Sequence, residues 1–365
     1  MTTILFLYER VIDLDLRFQK PEDIRGYFTN EININHPIIR SLKTGELIVF
    51  VGAGMSKHLG IPDWKEFAYC FLDLVYDNNK LTLLNFKTKE SLKNESVRKL
   101  LSICEFAAKE SIAPSKREEA YIKWFKKELD DIKNKVLYEK LYKLNAIYLT
   151  TNYDNALDLL AKQPKMELAT EEYMGSVQHE EEPKVFFRLQ DFNKDILKSG
   201  NVIHIHGSIE DTKNLIVTNE DYIVRYYSNW KNDTLSPDDK DMIARFKDFL
   251  DYVCDGKYVL LFIGYGLEEI EILQFLFDYI AERDFNSNRY LLFPCLADEF
   301  LKVSYLNDYY MKNYHINFLP LDITEKGYDS IEGFFDFISE LSRKENHEPE
   351  NIDRFNSALE KIMEW

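Results

Sequence analysis

Hydrophobic positions along this chain gather in short unbroken runs rather than alternating with polar ones. LIVFV (47–51), AIYLT (146–150), NVIHIH (201–206), NLIVT (214–218), KYVLLFI (257–263), RYLLFPCL (289–296) and INFLPL (316–321) are rich in β-branched and aliphatic residues. Runs of this kind suit parallel strands covered on both faces, since a sheet with one wet face would alternate. Helical patterns lie between them. DWKEF (63–67) opens one that continues through FAYCFLDLVYD, and SPDD (236–239) supplies a Ser cap, a first-turn proline and an acidic first turn for another, which Gly256 ends. The order predicts an α/β fold: a Rossmann-like, doubly wound, mainly parallel sheet with a helical insertion and C-terminal helices.

The pattern also divides the chain. Residues 65–144 hold almost no strand signal and read as a helical insertion, far longer than an ordinary crossover. The predicted organisation is an N-terminal extension (1–40), a Rossmann-like core (41–64 and 145–321), the insertion (65–144) and C-terminal helices (322–365). Residues 162–200, polar and acidic, read as loop or insertion.

Composition narrows the chemistry. With 365 residues, 45% of them hydrophobic, the chain can bury a large core. Lys and Arg number 46 against 63 Asp and Glu, a net charge of −17, so the average surface repels phosphate backbones and direct nucleic-acid binding is not expected. The four cysteines form no C-x-x-C pair, which fits a reduced cytoplasmic setting, and no run is long enough to span a bilayer.

Four strand ends carry candidate chemistry. LIVFV runs into Gly52-Ala53-Gly54 and Ser56, where a strand, a glycine turn and a helix start suit a phosphate; G-x-G-x-x-G fails because Lys57 stands at the last position. A tight turn without a ligand reads as well from this tripeptide alone. AIYLT runs into Thr151, Asn152, Tyr153 and Asp154, with Asn152 pointed toward the same crevice, unless it or Asp154 merely caps the next helix. His204 and His206 share a face if their strand stays regular. The H-x-H spacing raises a metal reading, yet no second cluster completes a ligand set and no metal is expected. His206, beside Gly207 and Ser208, reads as a neutral imidazole serving as general base, while His204 reads as a core histidine. The fourth end is Gly264-Tyr265-Gly266.

Together GAGMSKHLGIPDW, TTNYD, HIHGS and GYGL resemble, in order and spacing, the sirtuin-related NAD-binding family, and most closely its bacterial sirtuin-like branch in anti-phage defence systems. The resemblance covers about residues 40–275. It implies that Gly52, Ala53, Gly54 and Ser56 form the phosphate and ribose loop, that Asp63 lies near the nicotinamide pocket, and that Asn152 and His206 are catalytic. Asp154 belongs to the same motif, Gly207 and Ser208 complete the histidine motif, and Gly264, Tyr265 and Gly266 lie at the adenosine end. Trp64 and Tyr153 read as pocket walls or ordinary core aromatics. The four-cysteine zinc ribbon of deacylating sirtuins is absent, and Lys65 stands where their Arg follows G-I-P-D-F. The expected activity is hydrolysis of NAD+ to nicotinamide and ADP-ribose, as a triggered NAD-depleting effector. A non-hydrolytic sensor of NAD or ADP-ribose and an ADP-ribosyl or deacyl transferase remain alternatives. The resemblance further implies a homo-oligomer and a HerA-type hexameric ATPase as partner.

Overall fold

The computed structural model describes residues 16–78, 86–163, 182–226, 235–266 and 288–344. Among them, seven strands form one sheet in the order β3-β4-β2-β1-β5-β6-β7, with β1 Leu47–Val51, β2 Ala146–Thr150, β3 Val185–Phe186, β4 Val202–His204, β5 Val259–Ile263, β6 Arg289–Cys295 and β7 Ile316–Asp322. Every pairing is parallel. All side chains of β1, β2 and β5 are buried, which is why these strands read as unbroken apolar runs. The predicted Rossmann-like fold is present.

Register sets the position of the site. Val51 pairs with both Thr150 and Ile263, and Thr150 pairs with His204, so β1, β2, β4 and β5 end on one row across the sheet. The segments that follow them therefore emerge along one carboxyl edge, where open parallel sheets bind ligands.

Between β1 and β2 the described residues outside loops are helical, including Trp64–Asn78, Val97–Ser111, Pro114–Phe125 and Lys135–Tyr142. The first and third of these bring Phe67, Phe71, Tyr121 and Phe125 into one aromatic cluster. Helices Pro21–Arg25 and Tyr27–Glu31 pack on β7 at the sheet edge, and helix Pro37–Thr44 lies against β1 and β5. Ser236 caps helix Pro237–Cys254 with a reciprocal capping box, and Gly256 follows its end at φ 88°. The terminal helix expected after residue 350 and the one after Gly266 lie outside the described residues.

Two readings need correction. Residues 214–218 form no strand. Gly207, at φ 84°, turns the chain, and the 3₁₀ turn Ile209–Asn214 is too short for a crossover that would add a parallel strand; instead the Ile216 amide donates to the His206 carbonyl at 3.0 Å. The second concerns 162–200, which is not all loop: β3 lies within it as a two-residue edge strand, too short and too polar in its surroundings to be legible.

Candidate active site

The two glycine amides of the β1 turn face the end of β5. Gly52 N–H donates to the Ile263 carbonyl at 2.9 Å and Gly54 N–H to the Gly264 carbonyl at 2.8 Å. The two glycine turns meet backbone to backbone. A Cβ on Gly52 would stand 2.5 Å from the Gly264 oxygen, and one on Gly264, whose φ is +62°, would stand 2.5 Å from the Met55 nitrogen. The glycines at 52 and 264 are thus explained by this mutual approach, without recourse to a ligand. Tyr265 packs on Phe50 and Phe262, and Gly266 ends this described stretch.

Beside the turn lies a hollow lined by Ala53, Ser56, Ile61, Pro62, Asp63, Trp64, Phe67, Phe125, Asn152, Tyr153 and Asp154. It joins the ends of β1 and β2 with the start of the helical insertion, so residues about a hundred positions apart share one wall. Ser56, Asn152 and Asp154 form a buried chain: Ser56 Oγ donates to Asp154 Oδ2 at 2.6 Å, and Asn152 Nδ2 donates to Ser56 Oγ at 2.9 Å. The order is forced, because the hydroxyl has one proton and gives it to the carboxylate, leaving Ser56 only able to accept from Asn152. Asn152 Oδ1 is then the free end, buried and with no partner among the described residues. A buried acceptor left unpaired costs about 1–3 kcal/mol, which a bound hydroxyl or water would recover.

Charge in this chain sits on Asp154. Burial raises its pKa, against the lowering hydrogen bonds from the Ser56 hydroxyl and the Ala156 amide. Its other oxygen accepts from Ala156 N–H at 3.2 Å, so Asp154, one residue before the N-cap Asn155, braces the start of helix Ala156–Ala161 while its Oδ2 takes the Ser56 proton. Asp63 likewise has two roles. It forms a reciprocal capping pair with Glu66 at the start of helix Trp64–Asn78, and Lys57 Nζ lies 2.5 Å from its carboxylate. Burial pushes its carboxyl up, and the Glu66 amide and Lys57 outweigh this, leaving it below the ordinary range.

His206 does not line the hollow. It is fully buried, with Nε2 2.8 Å from Tyr226 Oη and Nδ1 3.4 Å from Tyr222 Oη. Burial, with the nearby charges of Arg225 and Arg98, holds its pKa well below the usual histidine range, so the ring is neutral. Trp64 bridges the two regions, with its ring 5.1 Å from Tyr153 and 6.3 Å from His206. Trp64 and Tyr153 line the hollow and also pack in the core, so both earlier readings apply to them. Ser208 is buried and its Oγ accepts from Glu210 N–H at 3.3 Å.

The H-x-H pattern resolves differently from its regular-strand form, since β4 stops at His204. His204, read as core, is in the site's support: Nδ1 lies 2.9 Å from the Asn152 carbonyl oxygen and Nε2 2.7 Å from Asp158 Oδ1. Burial lowers its pKa, but Asp158 outweighs that and the net shift is upward. Thr150, Asp158 and Asn155 were not singled out from sequence. The T-T-N-Y-D-N string contains two of them, but nothing local shows what their side chains reach.

The sheet order and the edge at which these groups converge define a Rossmann-like α/β class of protein. Residues 146–319 match the family model of the SIR2-like domain, so the chain is similar to sirtuin-related proteins over that span, a class that acts on NAD+. The match runs from the start of β2 into β7. It includes Asn152, Asp154, His206 and the second glycine turn, and leaves the β1 turn outside. No curated protein matches the chain. Among the described residues, no helix is long and apolar enough to cross a membrane.

Proposed function

We propose that this protein hydrolyses NAD+ at the bond between nicotinamide and ribose, with Asn152 as the central catalytic residue. The observation that carries the reading is the orphaned Asn152 Oδ1, fixed by the Ser56–Asp154 chain at a hollow that continues from the β1 turn. The SIR2-like match supports NAD+ as the reactant.

The reaction consumes one water. Its hydroxyl joins ribose C1′, the C1′–N bond breaks with its electron pair going to nicotinamide, and one proton is released. Nicotinamide leaves a cationic pyridinium as a neutral molecule, so no acid is required, and the transition state resembles the oxocarbenium of glycoside cleavage. Asn152 Oδ1 would accept from the attacking water or a ribose hydroxyl. His206, whose burial now depresses its basicity, would accept the proton once the reactants or water relieve that burial, a role worth roughly 10²- to 10⁴-fold. For this its ring must exchange Tyr226 for the reactants, which supports an effector held silent until triggered. We further propose that the trigger acts through assembly, in a homo-oligomer and with a HerA-type ATPase, in anti-phage defence.

The sealing of His206 also suits a sensor that binds NAD+ without cleaving it. The full chain, alone and with candidate partners, is to be incubated with NAD+ and nicotinamide followed by chromatography. Release that falls at least about 100-fold in Asn152→Ala, with an unchanged melting temperature, is the expected result. Retained turnover in that variant sinks the assignment; tight binding without release in every state selects the sensor, and label from NAD+ found on protein selects the transferase.

A further inference from the structure

Asn152 is held at both ends of its own residue. Its main-chain N–H donates to Thr150 Oγ1 at 3.0 Å, and Thr150 in turn donates to the Val51 carbonyl at 2.8 Å, fastening β2 to the end of β1. Its main-chain carbonyl faces His204 Nδ1 at 2.9 Å. A carbonyl can only accept, so Nδ1 must carry the proton. Asp158 takes the other ring nitrogen at 2.7 Å, and both residues of that pair are buried to within 1% of full enclosure. Whether the shared proton sits on Nε2 or on the carboxyl, Nδ1–H remains directed at Asn152. A buried His–Asp pair offered only one carbonyl is costly as mere core filling, since apolar residues would pack there without desolvating charge.

We propose that Thr150 and His204, the latter backed by Asp158, are positioning residues that clamp the Asn152 peptide so that its side-chain oxygen stays presented to the reactants. The inference rests on the reading of Asn152 as catalytic. It assigns His204 a part in the site that its neighbour His206 does not share: His204 orients and never meets the substrate. Loss of the clamp misaims Asn152 without removing the binding surface, so turnover suffers more than affinity.

The test compares the full-length wild type with His204→Leu, His204→Asn and Thr150→Val in nicotinamide release, under whichever conditions activate the wild type. His204→Leu is expected to lose about 30- to 100-fold in kcat while KM for NAD+ changes less than about threefold. His204→Asn, whose amide N–H can replace Nδ1–H, is expected to recover most of that loss. Thr150→Val keeps the volume and removes only the hydroxyl, so it repeats the kcat loss if His204→Leu fails to fold. Nitrogen-15 spectra of the wild-type histidines should show Nδ1 of His204 protonated across the working pH range. An Asn152→Ala variant that is dead beside a fully active His204→Leu overturns the clamp alone. Equal loss in the Leu and Asn variants, or an unprotonated Nδ1, also overturns it. Full turnover in Asn152→Ala, or a wild type silent with and without partners, removes the reading beneath it.

Discussion

Asp154 sets two quantities moving in opposite directions with pH. Only its ionised form accepts the Ser56 proton and thereby fixes the Asn152 amide with its nitrogen on Ser56 and its oxygen left over. Nicotinamide release is therefore expected to fall as pH drops through the Asp154 pKa, which burial has raised, and Asp154→Asn should flatten that limb of the profile. For stability the sign is reversed. A folded pKa above the unfolded one means that the native state binds the proton more tightly, so this group's contribution improves as pH falls through the folded value. A pH profile of rate beside one of urea midpoint separates the two. The glycine turns give a second residue-scale prediction. Gly264→Ala places a Cβ 2.5 Å from the Met55 nitrogen at a left-handed φ, and Gly52→Ala meets the Gly264 oxygen. Each should cost about 1–3 kcal/mol from overpacking, more at 264 through backbone strain, read from denaturant midpoints. The two should not be additive, since they strain one contact. Sequence placed both glycines in turns and gave the space beside Gly52 to a phosphate; in the structure the Gly264 backbone stands where a Gly52 Cβ would be.

At the scale of elements, the insertion is hydrogen-bonded to the segment after β2 through the Asn155 side chain. Asn155, the N-cap residue of helix Ala156–Ala161, accepts from Lys127 N–H at 2.9 Å and donates to the Lys127 carbonyl at 3.0 Å. Lys127 follows the helix Pro114–Phe125, whose Phe125 lines the hollow. Asn155→Ala removes both bonds and leaves two backbone groups unsatisfied, for which about 1–3 kcal/mol is expected. Amide exchange around Lys127 should speed up by more than it does in β1 or β2, as mass spectrometry after deuterium labelling can measure. Most elements were legible because their signals are local: unbroken apolar runs for the strands, and Ser236, Pro237 and Asp239 for a helix start. The segment 214–218 misled because its composition is that of a strand, while the length of the turn before it denies it a place in the sheet. β3 escaped notice because two residues carry no period.

For the whole molecule, the net charge of −17 bears on partners more than on fold. Duplex DNA is expected to show no retention of the protein in gel-shift assays at physiological salt, and retention would contradict the charge argument. The proposed NAD+ hydrolysis calls for a silent state, and the enclosure of His206 by Trp64, Tyr222 and Tyr226 is a whole-molecule property, since Trp64 follows the β1 turn and the two tyrosines follow β4.

The amino-acid sequence by itself determined six of the seven strands, the helical insertion, the glycine turns and the four polar strand ends, because apolar continuity, capping chemistry and backbone freedom are written over a few neighbouring residues. Only the tertiary structure decided which atoms those ends leave free. That Gly52 faces Gly264, that Ser56 reads the orientation of Asn152, and that His204 rather than His206 grips the Asn152 peptide all follow from the pairing of β1, β2, β4 and β5 on one row. Pairing between strands separated by tens to hundreds of residues is fixed by the packing of the entire sheet, and no local pattern carries it.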